Sequence, residues 1–271
     1  MTSIRQVACS DPLNPEGAAR WEEVRGYLRS RGHSCDPAEV VAGLWDDPWW
    51  LVADPTGGTQ GLGNLPALAT TLPGPSDRQR QRAWCSLSDN SLSLNVLLDR
   101  GLCRVLHGQL LTLAGRDAEA QRIRFEAWSA AVRAGEPFPR EALPPLTPLR
   151  GPWSGPVTLV GGNLGALERL GTTPWRPQPR GRTLLLESLS LPAAEAPRRV
   201  GLLVDDPWWR DIGGLVLGRF TVADREQPDW VEVCLRSLPR RLPVARLPQV
   251  GHGADAWTIP LGEPLTLVRE R

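Results

Sequence analysis

Short apolar runs alternate along the first half of this chain with stretches whose apolar residues recur every three or four positions. Residues 3–10 form the first run and end in a Ser-Asp-Pro turn. Asn14-Pro15 then offers a helix N-cap and a first-turn proline, and Ala18, Trp21, Val24 and Leu28 follow at helical spacing until Gly32. Residues 49–53 predict a second strand, which leads into the glycine-rich stretch Thr56-Gly57-Gly58-Thr59-Gln60-Gly61. A third strand is predicted over 83–87, helical character over 90–98, and a further strand over 102–106. Residues 117–134 then predict an amphipathic helix with Ile123, Trp128 and Val132 among its apolar positions. Strands alternating with helices point to parallel βα units.

The pattern then breaks. Residues 136–156 hold seven prolines and two glycines with little periodicity, the composition of a linker. Beyond it, residues 157–160, 183–186 and 215–217 predict strands, and 197–204 predicts a helix with Pro197 in its first turn and Gly201 inside it. The expected organisation is an α/β protein: a parallel-sheet N-terminal domain over 1–135, a linker over 136–156, and a smaller β-rich domain over 157–271. The pentapeptide Asp-Asp-Pro-Trp-Trp occurs at 46–50 and again at 205–209 with unmatched flanks, which fits coincidence or a shared local turn rather than a repeated fold.

Composition narrows the chemistry. All 31 basic residues are arginine, against 30 acidic ones, so the net charge is +1. The absence of lysine excludes a Walker A phosphate loop and a Schiff-base amine. Dispersed arginines in a neutral chain argue against nucleic acid as a partner, and Arg240-Arg241 is too short a run to make a patch. Arg78, Arg80 and Arg82 are read as a solvated face. The five cysteines are odd in number and contain no Cys-x-x-Cys pair, so they are expected to be small hydrophobes in a reducing compartment. No signal-peptide run opens the chain, and no apolar stretch approaches the ~20 residues needed to span a bilayer. The expectation is a soluble, cytoplasmic protein without metal or organic cofactor. Asp205 and Asp206 have no histidine near them in sequence and are read as turn residues.

Four places could carry chemistry. In Trp84-Cys85-Ser86-Leu87-Ser88-Asp89-Asn90 a predicted strand runs directly into a helix, which presents a hydroxyl outward beside N–H groups that favour developing negative charge. Gly57-Gly58 lets backbone amides approach a ligand oxygen closely. Val250-Gly251-His252-Gly253 frames an imidazole with glycines, and Glu187 closes the apolar run 184–186. Taken singly, each fits an ordinary cap, turn, surface loop or strand end. Serine, carboxylate and histidine in that order fit a nucleophile–base–orienter arrangement. Of the other histidines, His33 is expected on the surface just past a helix end, and His107 is expected to be structural or a cleft wall.

Together these segments resemble the LD-carboxypeptidase family of serine peptidases, which includes the muramoyl-tetrapeptide carboxypeptidases and the microcin C immunity peptidases. Val160-Gly161-Gly162-Asn163-Leu164, followed by Leu170-Gly171-Thr172-Thr173-Pro174, is similar to the family's Gly-Gly-Asn-Leu opening. Residues 183–187 resemble its strand ending in the catalytic glutamate, and Leu215-Val216-Leu217-Gly218-Arg219-Phe220 its Val-Leu-Gly-x-Phe strand. Gly251-His252, with Pro260-Leu261-Gly262, resembles the catalytic-histidine loop and its sequel. Earlier in the chain Ser88-Asp89 stands where the family has Gly-Tyr-Ser-Asp, His107-Gly108 where it has His-Gly-Pro, and Gly57-Gly58 in place of its Arg-Gly-Gly-Tyr-Gly loop.

The resemblance implies that Ser88 is the nucleophile, His252 the general base and Glu187 its orienter. It also implies that the amides of Asp89 and Gly58, or its neighbour Gly57, form the oxyanion hole, in a cleft between two domains. The implied activity is removal of D-alanine from a small peptide, a murein tetrapeptide, by a homodimer. Ser86-Leu87 replaces the family's Gly-Tyr, and Pro55-Thr56 replaces the arginine before the paired glycines. Residues 188–199 lack its Glu-x-Pro-Tyr-x-Ile-Asp-Arg pattern. These departures touch the substrate cleft, so two alternatives stay open: a peptidyl-nucleotide or amide hydrolase of the immunity type, and a catalytically inactive binding protein of the same fold.

Overall fold

A computed structural model describes residues 2–9, 11–37, 49–56, 81–115, 118–153, 155–171 and 173–265. The first half holds β1 (Thr2–Gln6), α1 (Pro15–Ser30), β2 (His33–Pro37), β3 (Trp49–Ala53) and β4 (Ala83–Ser86), then α2 (Ser91–Arg100), β5 (Arg104–His107) and α3 (Glu119–Ala134). Asn14 caps α1 by accepting a hydrogen bond from the Gly17 amide at 2.8 Å. The sheet runs β2-β1-β3-β4-β5, all parallel, and this order places the loops that leave the strands at one carboxyl edge.

The second half holds β6 (Thr147–Arg150), β7 (Val157–Asn163), α4 (Leu164–Leu170), β8 (Thr183–Ser188), α5 (Ala196–Asp205) and β9 (Gly214–Phe220). It continues with α6 (Thr221–Glu226), α7 (Trp230–Ser237), β10 (Val244–Arg246), β11 (Ile259–Leu261) and β12 (Pro264–Leu265). β7-β8-β9-β10 is a parallel core, edged by antiparallel β12 and β6. Its apolar runs divide by parity. Leu184, Leu186, Leu215 and Leu217 pack into a cluster with residues of α4 to α7, whereas Leu185 and Val216 join the core that contains the first sheet. A parallel sheet covered on both faces requires such continuous apolar strands.

Two connections differ from the linker expectation. Within 136–156, residues 140–142 form a 3-10 turn and β6 pairs with β10, so the proline-rich segment supplies an edge strand of the second sheet. After β10 the chain returns, and β11 pairs antiparallel with β5 of the first sheet. Helix α2 lies between the two cores: Leu94 and Leu97 join one, Leu92 and Val96 the other, and residues 91–97 are all buried. A helix buried all round needs no polar face.

The expectation of a surface His33 is corrected. It is 5% exposed on β2 and packs against Trp50 and Phe125, because the chain enters a strand directly after α1 rather than a loop. In the second Asp-Asp-Pro-Trp-Trp copy, Asp206 caps a 3-10 turn by accepting from the Trp208 amide at 2.8 Å and pairs with Arg176 at 2.7 Å. In the first copy, positions 46–48 lie outside the described residues, and Trp49 and Trp50 open β3. The two copies therefore place their tryptophans in different local structures. Arg82 lies over the Trp49 ring at 4.7 Å, while Arg78 and Arg80 lie outside the described residues. All five cysteines are buried and none forms a disulfide. Among the described residues no helix is long and apolar enough to cross a membrane.

Candidate active site

The strand-to-helix junction after β4 carries backbone strain. Ser88 has φ 63°, and no other described non-glycine residue has positive φ. It opens a 3-10 turn, Ser88–Asn90, that feeds straight into α2. A side chain held this way is thrust out of the sheet edge, and Ser88 is half-buried there between fully buried neighbours. Its strain persists because the next residues are fixed: Asp89 is buried and ion-paired with Arg169 of α4, and Asn90 is buried.

Asn90 ties the junction to the end of β3. Its Nδ2 donates to the Thr56 carbonyl at 2.9 Å, and Thr56 in turn donates to Asp54 Oδ1 through its amide at 3.1 Å and its hydroxyl at 2.5 Å. The other Asp54 oxygen accepts from the Cys9 amide beyond β1 at 3.2 Å. Burial pushes the Asp54 carboxyl up to about 6, against the pull of these hydrogen bonds. Three strand ends are thus bound into one network under the elbow. Gly57 and Gly58, the expected oxyanion residues, lie outside the described residues, but the chain entering them is anchored at Thr56.

Glu187 occupies the carboxyl end of β8. The pairing of β8 with β9 shifts register between Leu186 and Ser188, at the position of Glu187. The Glu187 carboxylate is fully buried and faces three partners. His252 Nδ1 lies 2.7 Å from Oε2, Asn163 Nδ2 donates to Oε1 at 3.1 Å, and His107 Nε2 is 4.0 Å from Oε1. With Glu187 charged, Nδ1 of His252 carries the proton that it shares, leaving Nε2 as the basic nitrogen.

Electrostatics follow from this arrangement. Burial alone would raise the Glu187 pKa, but the charge and hydrogen bond of His252, helped by His107 and Asn163, bring it below the ordinary value. Burial alone would lower that of His252, and the Glu187 charge and hydrogen bond raise it instead. His107 has no comparable hydrogen bond, and burial pushes it down to about 4, so it is neutral near pH 7. The two imidazoles around one carboxylate therefore differ in charge behaviour.

The two halves meet beside this group. Ser91 Oγ accepts from the Asn163 amide at 3.0 Å, and the 3-10 turn of Ser88 packs against α4 and β7. Gly162 makes the approach possible. Its φ is 133°, and a Cβ there would fall on Ser91 Oγ and lie 3.0 Å from His107 Cε1. The structure thus joins Glu187 to His252 and packs the 3-10 turn of Ser88 against β7, whose last residue, Asn163, bonds Glu187. Among the described residues Ser88 makes no side-chain hydrogen bond. Sequence reasoning missed Asp54, and passed over Thr56, Asn90 and Asn163 although each stood within a quoted segment.

Known proteins share the fold that carries this geometry. Residues 157–267 match the family model described as the LD-carboxypeptidase C-terminal domain. No curated protein matches the sequence. Among solved structures, MccF in complex with glutamyl sulfamoyl guanosine is similar at TM-score 0.73 and 16% identity, covering 96% of this chain and 91% of its own. An MccF-like protein from Bacillus anthracis str. Ames is similar at TM-score 0.73 and 16% identity, with the same coverage of 96% and 91%. Muramoyltetrapeptide carboxypeptidase from Oxalobacter formigenes is similar at TM-score 0.68 and 19% identity, covering 96% and 93%.

Proposed function

We propose that the chain, whose second half matches the LD-carboxypeptidase C-terminal domain, is a divergent member of that family of serine peptidases and hydrolyses a small peptide by a Ser88-His252-Glu187 relay. The observation that carries this reading is the 2.7 Å contact of His252 Nδ1 with the buried Glu187, together with a serine held at φ 63° on a strand-to-helix elbow whose 3-10 turn packs against β7. Ser88 Oγ attacks the scissile carbonyl while His252 Nε2 takes its proton. Glu187 steadies the imidazolium, and the proton then passes to the leaving amine. Water repeats the sequence on the acyl-enzyme, releasing the acid and restoring Ser88. The amides of Asp89 and of Gly58 or Gly57 hold the oxyanion, each such donor typically contributing about 3 kcal/mol to the transition state. The relay uses only groups of the chain.

The substrate in this reading is a cytoplasmic murein tetrapeptide that loses D-alanine across an L–D bond, and the working form is a homodimer. Release of D-alanine from purified tetrapeptide, followed by mass spectrometry with Ser88→Ala as control, tests it. No release by the wild type overturns the substrate assignment. A second reading rests on the immunity-type structures that share this fold, one of them in complex with glutamyl sulfamoyl guanosine. It keeps the relay and takes an aminoacyl-sulfamoyl nucleotide instead, and the same assay with that compound separates the two. A serine-directed fluorophosphonate that labels neither wild type nor Ser88→Ala would leave a binding protein of this fold.

A further inference from the structure

A loop flanked by glycines does not hold an imidazole still by itself, and the loop carrying His252 has Gly251 at φ 134° and Gly253 at φ 154°. Most of what fixes it comes from one residue of β9, Arg219. The Arg219 amide donates to the Val250 carbonyl at 2.6 Å, and its Nε donates to Pro248 O at 2.9 Å. Its Nη1 donates to the carbonyl of His252 itself at 3.2 Å, and Nη1 and Nη2 engage both oxygens of Asp255, at 2.6 and 2.9 Å. Thr221 Oγ1 adds a longer bond to the same His252 carbonyl, at 3.4 Å. A Cβ at position 253 would collide with the guanidinium, so that glycine is what lets the arginine lie along the loop.

We propose that Arg219, clamped by Asp255, is the positioning residue for His252, holding the ring where Nδ1 meets Glu187. The inference rests on the reading of His252 as the base. Only the planar fork of arginine reaches Pro248, His252 and both Asp255 oxygens at once; lysine would keep the charge and lose the geometry. Asp255 is 73% exposed, and an exposed ion pair by itself contributes little to stability. The value of the pair lies in direction. Arg219 is also the one residue of the Leu-Gly-Arg-Phe run that faces the histidine loop through both backbone and side chain.

The test pairs two readouts on wild type, Arg219→Lys, Arg219→Gln and Asp255→Asn. The first is the titration of the His252 ring protons by NMR, assigned with His252→Gln. The second is the rate of Ser88 labelling by a fluorophosphonate. Freeing the loop weakens the bond to Glu187, so the His252 pKa falls toward its ordinary value in the Arg219 variants. Labelling drops about tenfold or more, as small misplacements of a reacting group do, and KM for a turned-over peptide stays within about twofold while kcat falls. Arg219→Lys behaves like Arg219→Gln, and Asp255→Asn, safe for folding at an exposed site, lies between them and wild type. A lowered melting temperature with the His252 titration and labelling rate unchanged overturns the inference. If wild type is not labelled at all, the serine reading fails, and the NMR titration alone still decides whether Arg219 directs His252.

Discussion

Asn95 and Gly161 exchange two hydrogen bonds across the domain boundary, Nδ2 donating to the glycine carbonyl at 2.8 Å and Oδ1 accepting its amide at 3.0 Å. A side-chain amide thereby does for β7 what a neighbouring strand would do, and all these groups are buried. Replacing Asn95 with Leu leaves a buried amide and carbonyl unmet. The expected loss is about 1–3 kcal/mol of unfolding free energy, read by urea denaturation. A change below about 0.5 kcal/mol, the level of an ordinary surface substitution, would show that the pair does not hold the halves together.

Ser88 trades stability for exposure. A non-glycine residue at φ 63° carries a backbone cost of roughly 1 kcal/mol that glycine does not. Ser88→Gly is therefore expected to raise Tm by about 2–4 °C while abolishing fluorophosphonate labelling. Calorimetry on Ser88→Gly beside Ser88→Ala measures it. An unchanged or lower Tm for the glycine variant, relative to alanine, contradicts the strain.

The coupling of Glu187 to His252 sets the acid limb of the pH profile. Because the carboxylate raises the imidazole pKa, the free base is lost below a midpoint that lies above the ordinary histidine value. Glu187→Gln removes the stabilising charge, so the midpoint moves to lower pH and kcat falls by about 10³–10⁴-fold, the scale typical of a removed orienting carboxylate. The profile of kcat/KM against pH, from about 5 to 9, is the measurement. A midpoint that stays put would mean another group titrates.

His107 contributes a stability term of opposite sense. Its folded pKa of about 4 lies below its value in the unfolded chain, so protons bind the unfolded state first. Stability is full above the ordinary histidine pKa and falls as pH drops from about 6.5 toward 4, by on the order of 3 kcal/mol. Asp54, raised to about 6, acts the other way, since its folded state holds a proton longer and loses stability as pH rises through that value. Comparing wild type with His107→Asn cancels the Asp54 contribution, and the difference in unfolding free energy should shrink as pH falls. A difference constant from pH 7 to 4 would mean that His107 titrates normally.

Much of this architecture was written in local pattern. Asn14-Pro15 marked the start of α1, and the apolar runs around Leu185 and Val216 marked central strands because both faces of that sheet are covered. The elbow at Ser88 was legible because a strand ran into a helix without a spacer. Helices α6 and α7 were not legible, since Ala223 alone is buried in the first and Trp230 and Cys234 in the second. β6 and β11 carry Pro148 and Pro260, and proline argues for a loop until a strand is known to lie at an edge. Asp54, Asn90 and Asn95 reach partners 45, 34 and 66 positions away, at Cys9, Thr56 and Gly161, which no spacing rule reports.

The histidine loop is stitched into a different body at each end, β10 in the second sheet and β11 in the first. Nascent polypeptide emerging from a ribosome cannot finish its first sheet until residue 261 has been made, because the strand that seals the β5 edge is encoded after nearly all of the second. Severing the chain within the proline-rich segment would not yield two self-sufficient pieces; the front fragment would expose a raw β5 border and the back one a dangling ribbon.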